Sequence, residues 1–96
     1  MSGSNERPIP TYWDDLRIFL EVATARSFNK AAQTLGLSHP TVGRAVRRLE
    51  VALGTQLIAE AFARGIKLTQ PGMHLARELA RVDRQLSAAL GRVSRL

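Results

Sequence analysis

Ser38, His39, Pro40, Thr41, Arg44, Arg47 and Arg48 crowd into and just beyond a stretch, Phe28 to Arg47, that reads FNKAAQTLGLSHPTVGRAVR. Steps of three and four residues return to the same face of a helix, so Thr41, Arg44 and Arg48 share one side. Ser38, His39 and Pro40 stand at the N-terminal end of that helix. These groups supply hydrogen-bond donors and fixed positive charge. They suit the base edges and phosphates of a nucleic acid. Thr41 can touch a thymine methyl or donate to a base edge, and His39 can donate, accept or pack against sugar. Arg44 can grip guanine O6 and N7 together, worth about 1–3 kcal/mol of discrimination, or hold a phosphate. Arg47 and Arg48 are read as phosphate contacts. Ser27, at the start of the preceding helix, can place its hydroxyl and nearby amides on a phosphate. Arg64 and Lys67 suit a minor-groove or backbone contact, or equally an ordinary charged hairpin.

Catalytic chemistry finds no footing. His39 and His74 are the only histidines and lie far apart, and there is no cysteine. No nucleophile–base pair, glycine-rich phosphate loop or metal-ligand spacing is present, so neither an enzyme nor a metal or cofactor is expected. Asp14–Asp15 reads as the acidic start of a helix rather than as a catalytic dyad. No apolar run approaches membrane-spanning length and no signal-peptide core is seen. A soluble intracellular protein is the expectation.

The elements that must position these residues follow from capping and periodicity. Residues 1–11 hold prolines, Gly and Ser without periodicity and read as a flexible lead-in. A first helix is expected from Trp13 or Asp14 to about Ala25, with Leu16, Phe19, Leu20 and Ala23 on its apolar face. Ser27 can cap a second helix, Phe28 to Leu35, and Gly36 can take the positive φ of its C-terminus. Ser38 caps a third helix, with Pro40 in its first turn. That helix should bury Val42, Ala45, Val46, Leu49 and Leu53 and end at Gly54. Gln56–Ala59 and Ile66–Leu68 are candidate strands around a tip at Ala63-Arg64-Gly65, although Glu60–Ala63 also suits a helical turn. Thr69 can cap a fourth helix with Pro71 in its first turn.

The chain has 96 residues, enough for one small domain, with 45% hydrophobic and only 5% aromatic residues. Its core must therefore be built from Leu, Val, Ile and Ala, a mixture that favours helices. The formal net charge is +6, and a basic domain of this size fits a polyanionic partner. The charge is uneven. Residues 26–67 carry Arg26, Lys30, Arg44, Arg47, Arg48, Arg64 and Lys67 against only Glu50 and Glu60.

From Leu75 onward the apolar residues Leu75, Leu79, Val82, Leu86, Ala89, Val93 and Leu96 alternate steps of four and three. This is an a/d seam at the lower length limit of a coiled coil. A small domain cannot easily bury so long a stripe, so the helix is expected to pair with a second copy. The competing reading is an amphipathic helix folded back on its own domain.

The residues Leu16-Arg17-x-Phe19, Arg26-Ser27-Phe28-x-x-Ala31-Ala32-x-x-Leu35, Leu37-Ser38-x-Pro40-x-Val42, Val46-x-x-Leu49-Glu50-x-x-Leu53-Gly54, Leu57 and Leu68-Thr69-x-x-Gly72 make the chain similar to the N-terminal domain of LysR-type transcriptional regulators. The resemblance implies a mainly α fold with a small β wing: a winged helix-turn-helix over residues 12–68, then a linker helix over 69–96. It also implies linkers pairing antiparallel between subunits, and a homodimer or tetramer on a double-stranded inverted repeat with a T-N11-A core. The family commonly has Gln where His39 stands and Ser where Gly43 stands, both facing DNA. Its Phe-x-Arg reads Ile58-Ala59-Glu60 here, so a carboxylate replaces a cation near the wing. The family's effector-binding domain does not follow, so the chain reads as a fragment of a longer protein or a short variant, with a small-molecule effector only if that domain exists. The alternative function is a winged-helix interaction module that binds an acidic protein partner.

Overall fold

The computed structural model describes residues 9–95, which form α1 (Ile9–Ala25), α2 (Phe28–Leu35), α3 (His39–Leu53), β1 (Ile58–Phe62), β2 (Gly65–Leu68) and α4 (Gln70–Ser94). The part of the lead-in from residue 1 to residue 8 lies outside this range. Phe19, Val22, Val42, Leu49 and Leu57 are completely enclosed, and α1, α2, α3, α4 and the hairpin pack around them. The core is therefore aliphatic with a single phenylalanine at its centre, as the composition required.

α1 starts at Ile9, ahead of the expected Trp13. Pro10 falls in the first turn, where its missing N–H costs little. Asp14 and Asp15 consequently sit inside the helix rather than at its mouth. Asp15 is only 8% exposed and holds Arg48 of α3 instead of capping α1.

The two helices of the central pair match their capping residues. Ser27 Oγ accepts from the Lys30 amide at 3.1 Å, and Ser38 Oγ accepts from the Thr41 amide at 3.2 Å. Each satisfies an orphan donor of a helix start. Gly36 adopts φ 68° and Gly54 φ 67°, the left-handed region that closes a helix without a Cβ clash. Ala31 and Ala32 on α2 share the buried core with Val42 and Val46 on α3. Small residues allow the two axes to cross closely. Leu53, expected in the core, is half exposed. Val51, Ala52 and Gly54 are exposed with it, because the last turn of α3 runs past the elements it packs on.

The hairpin differs in detail from its sequence reading. β1 begins at Ile58 and extends to Phe62, so Glu60–Phe62 is strand and not a helical turn, and only Ala63 and Arg64 form the tip. The antiparallel register pairs Ile58 with Leu68, Glu60 with Lys67, Ala61 with Ile66 and Phe62 with Gly65. Ala59 is the extra residue of a β-bulge between the first two pairs. Ile66 and Leu68 turn inward to the core while Lys67 turns outward.

Backbone and side-chain ties fix the hairpin on both sides. Glu50 Oε2 on α3 accepts from the Leu57 and Ile58 amides at 2.8 and 3.2 Å. The Ile66 amide donates to the Arg26 carbonyl at 3.1 Å, and Arg26 itself has φ 58°, the left-handed region. The Thr69 amide donates to the Leu57 carbonyl at 3.0 Å, and the Thr69 hydroxyl donates to the Gln56 carbonyl at 2.6 Å. The same hydroxyl oxygen accepts from the Gly72 amide at 3.0 Å and so caps α4. Gly72 is buried directly against the Leu57 carbonyl.

α4 divides into two parts. Leu75, Ala76 and Leu79 pack on the core, so this end of the expected seam folds back on its own domain. Val82, Leu86, Leu90 and Val93 are exposed, Leu90 by 60% and Val93 by 62%. Ala89 is half-buried, and Leu96 lies outside the described residues.

Candidate nucleic-acid interface

The exposed face of α3 is held in shape by its own hydrogen bonds. Ser38 Oγ and Thr41 Oγ1 lie 2.8 Å apart, and Arg44 Nη2 donates to Thr41 Oγ1 at 3.4 Å. Ser38, Thr41 and Arg44 therefore form one connected polar row along the first turns. Pro40 is exposed beside them. His39 leans on Phe28 of α2, with ring centroids 5.3 Å apart and planes tilted by 43°. The imidazole is thus oriented by an aromatic neighbour while remaining exposed.

The arginines separate into different settings. Arg47 is exposed, with no ion pair among the described residues, and borders the groove between α3 and β1. Arg48 instead reaches back to α1. Its Nε and Nη2 donate to the two carboxylate oxygens of Asp15 at 3.1 and 3.0 Å. That bidentate fork raises the pKa of Arg48, through the hydrogen bond first and the Asp15 charge second. The Arg48 side chain is still 60% exposed, so a large part of it faces solvent. Ser27 is enclosed and its hydroxyl serves the α2 cap. Arg64 stands exposed at the hairpin tip, and Lys67 on the outward face of β2.

Two residues that the sequence reading did not place in the site prove central to the geometry. Glu50 couples the basic helix to the hairpin, and Asp15 couples it to α1. The sequence held one signal for the first: an acidic residue in an otherwise basic helix, a short distance before a strand whose opening amides need acceptors. Among the described residues no group of His, Cys, Asp or Glu is arranged to hold a metal ion, and no helix is long and apolar enough to cross a membrane.

The family model for bacterial regulatory helix-turn-helix proteins of the lysR family matches residues 13–73, the span that holds this helical pair and its two-stranded wing. The chain belongs to the LysR family. It is 36% identical over 75 residues to the HTH-type transcriptional regulator BudR of Klebsiella aerogenes, an alignment covering 78% of this chain and 52% of that protein. It is 33% identical over 76 residues to the regulator CrgA of Neisseria meningitidis, covering 79% of this chain and 25% of that one. The chain thus spans about half or less of the length of these curated relatives. Among solved structures, the BenM DNA-binding domain on catB site 1 DNA superposes with a TM-score of 0.77 and 29% identity, over 85% of this chain and 90% of that one. The CbnR DNA-binding domain in complex with DNA superposes with a TM-score of 0.71 and 34% identity, over 86% and 93%. The winged helix-turn-helix architecture followed by a long helix is therefore shared with LysR DNA-binding domains. That family is one of transcription regulators and not of enzymes.

Proposed function

We propose that this chain is the sequence-specific, double-stranded DNA-binding module of a LysR-type transcription regulator, acting in the bacterial cytoplasm on the nucleoid. The observation that carries the reading is the braced row Ser38–Thr41–Arg44 on the exposed face of α3, within a fold shared with two domains solved on DNA. The first turns of α3 enter the major groove, where Thr41 and Arg44 meet base edges and His39 and Pro40 line the approach. Arg47 holds a phosphate, and Arg64 and Lys67 on the wing follow the neighbouring backbone or minor groove. Arg48 acts mainly through Asp15, fixing the angle of α3 on α1, and Ser27 acts as a helix cap that presents the α2 amides to the backbone.

The exposed stretch of α4 from Val82 to Val93 joins two copies into a homodimer on an inverted repeat, with a tetramer as the larger assembly open to a full-length regulator. Leu75 and Leu79 contribute from the base of the helix while packing on their own core. A small-molecule effector would act through a further domain of the whole protein.

Selection from a pool of random duplexes, followed by binding at graded salt, tests the function. The selected duplex should carry a two-fold motif. Affinity should fall by about 0.9 log units per log unit of salt for each phosphate contacted. Arg44→Ala and Thr41→Ala should weaken binding to the selected duplex and relax preference at particular base pairs. A pool that enriches no motif, with no duplex bound at low salt, refutes the reading.

A further inference from the structure

An open groove runs between α3 and β1, bordered on the helix side by Gly43 and Arg47 and on the wing side by Ile58, Ala59, Glu60 and Ala61. No side chain stands at Gly43, and a Cβ added there would meet no protein atom within 4 Å. The fold itself thus places no steric demand for glycine at this position. Opposite it, the bulge at Ala59 shifts the register by one residue and brings Glu60, rather than Ala59, opposite Lys67. Residues directly opposed in an antiparallel pair share a face, with Cβ atoms about 4.5–5.5 Å apart. Glu60 is exposed, and among the described residues its carboxylate takes part in no hydrogen bond or ion pair.

A bare carboxylate thus stands on the rim of the groove that Arg47 borders, directly across the strand pair from Lys67. We propose that Glu60 is a negative determinant of DNA affinity, placed by the Ala59 bulge so that it offsets the wing's positive charge and weakens the grip on the phosphate backbone. Its effect is on binding strength and not on base choice, because phosphate contacts carry no direct sequence information. The chain's clustered positive charge would otherwise favour any duplex. One opposing charge at the groove lowers binding to every sequence alike.

This inference rests on the DNA-binding reading, and the experiment separates the two. Glu60→Gln removes one negative charge with little change in size, at a site whose side chain bonds to nothing. Asp83→Asn removes the same charge from an exposed residue on the α1-facing side of α4, outside the groove between α3 and β1. Both raise the net charge equally, so a difference between them reports position. Affinities of wild type and both variants are measured by fluorescence anisotropy, on the selected duplex and on a scrambled one, from low to moderate salt. Glu60→Gln should bind both duplexes up to about fivefold more tightly, the order expected for removing one repulsive charge close to phosphates in a water-like dielectric. The gain should shrink as salt rises, because added ions screen the repulsion that the substitution removes. Asp83→Asn should gain less than half as much. Equal gains in the two variants, no gain in Glu60→Gln, weaker binding by it, or a gain confined to one sequence would each overturn the proposal. Wild type that binds neither duplex while Glu60→Gln binds both supports it in its strongest form. Failure of all three proteins on both duplexes removes the DNA-binding reading and this inference with it.

Discussion

Gly72→Ala should destabilise the domain even though alanine is the better helix former. An added Cβ at this position would overlap the Leu57 carbonyl oxygen and come within 3.0 Å of the Leu57 carbonyl carbon. Neither partner is the loose end of a side chain, so the start of α4 and the start of the wing would have to separate by about an ångström to restore van der Waals distance. Three hydrogen bonds cross or brace that junction: Thr69 amide to Leu57 carbonyl at 3.0 Å, Thr69 hydroxyl to Gln56 carbonyl at 2.6 Å, and Gly72 amide to Thr69 hydroxyl at 3.0 Å. Stretched by that much, the first two pass beyond useful range and the third is strained. At about 0.5–1.5 kcal/mol each, their loss costs about 1.5–4 kcal/mol. The helix-propensity gain of alanine over glycine returns about 1 kcal/mol, leaving a net destabilisation of about 0.5–3 kcal/mol. In urea, with a slope of about 2 kcal/mol per molar, the midpoint should fall by about 0.3–1.5 M. Gly91→Ala provides the opposite sign in the same helix. Its Cβ would meet only the Arg95 guanidinium at 3.8 Å, so the midpoint should rise by a few tenths molar. A Gly72→Ala protein with an unchanged or higher midpoint would refute the argument that this glycine is required by the close approach of two backbones.

Two further outcomes follow from the same geometry. Glu50→Ala removes the acceptor for the Leu57 and Ile58 amides and should cost about 2–4 kcal/mol, with faster hydrogen exchange at those two amides; unchanged exchange there would show that the wing does not depend on this carboxylate. Leu86→Asp combined with Leu90→Asp, both on the exposed part of α4, should give monomers by sedimentation with less than about 1 kcal/mol of lost stability, whereas Leu79→Asp should unfold much of the domain because Leu79 packs on the core; a wild-type mass in the double variant would remove the proposed dimer contact.

Residues whose roles are local were the legible ones. Ser27, Ser38, Thr69, Gly36 and Gly54 announce helix ends through bonds within a few residues, so α2 matches its expected bounds and the starts of α3 and α4 carry the expected caps. The residues that depend on distant partners were not legible. Asp15 and Arg48 meet across thirty-three positions, and neither periodicity nor capping links them. The bulge at Ala59 is a matter of register between strands, which alternation in a short stretch does not encode. The long apolar seam was visible as a pattern, but the pattern could not say where its burial by α1 stops and its exposure begins. Of the residues read as facing DNA, Arg44 and Arg47 are exposed on α3 and Thr41 is half-buried beside Arg44.

The exposed half of α4 also works as a ruler. From Val82 to Ser94 the helix rises roughly 20 Å, so a tilt of about 10° at its base displaces its end by about 3.5 Å. That is close to the rise of one base pair, about 3.4 Å. For two copies joined through this segment, a small bend at the junction of Leu57, Thr69 and Gly72 is enough to change the spacing of the two reading helices by a whole base pair. In the proposed dimer, the backbone contact that admits only glycine at that junction would also set how tolerant the pair is of operators with different half-site separations.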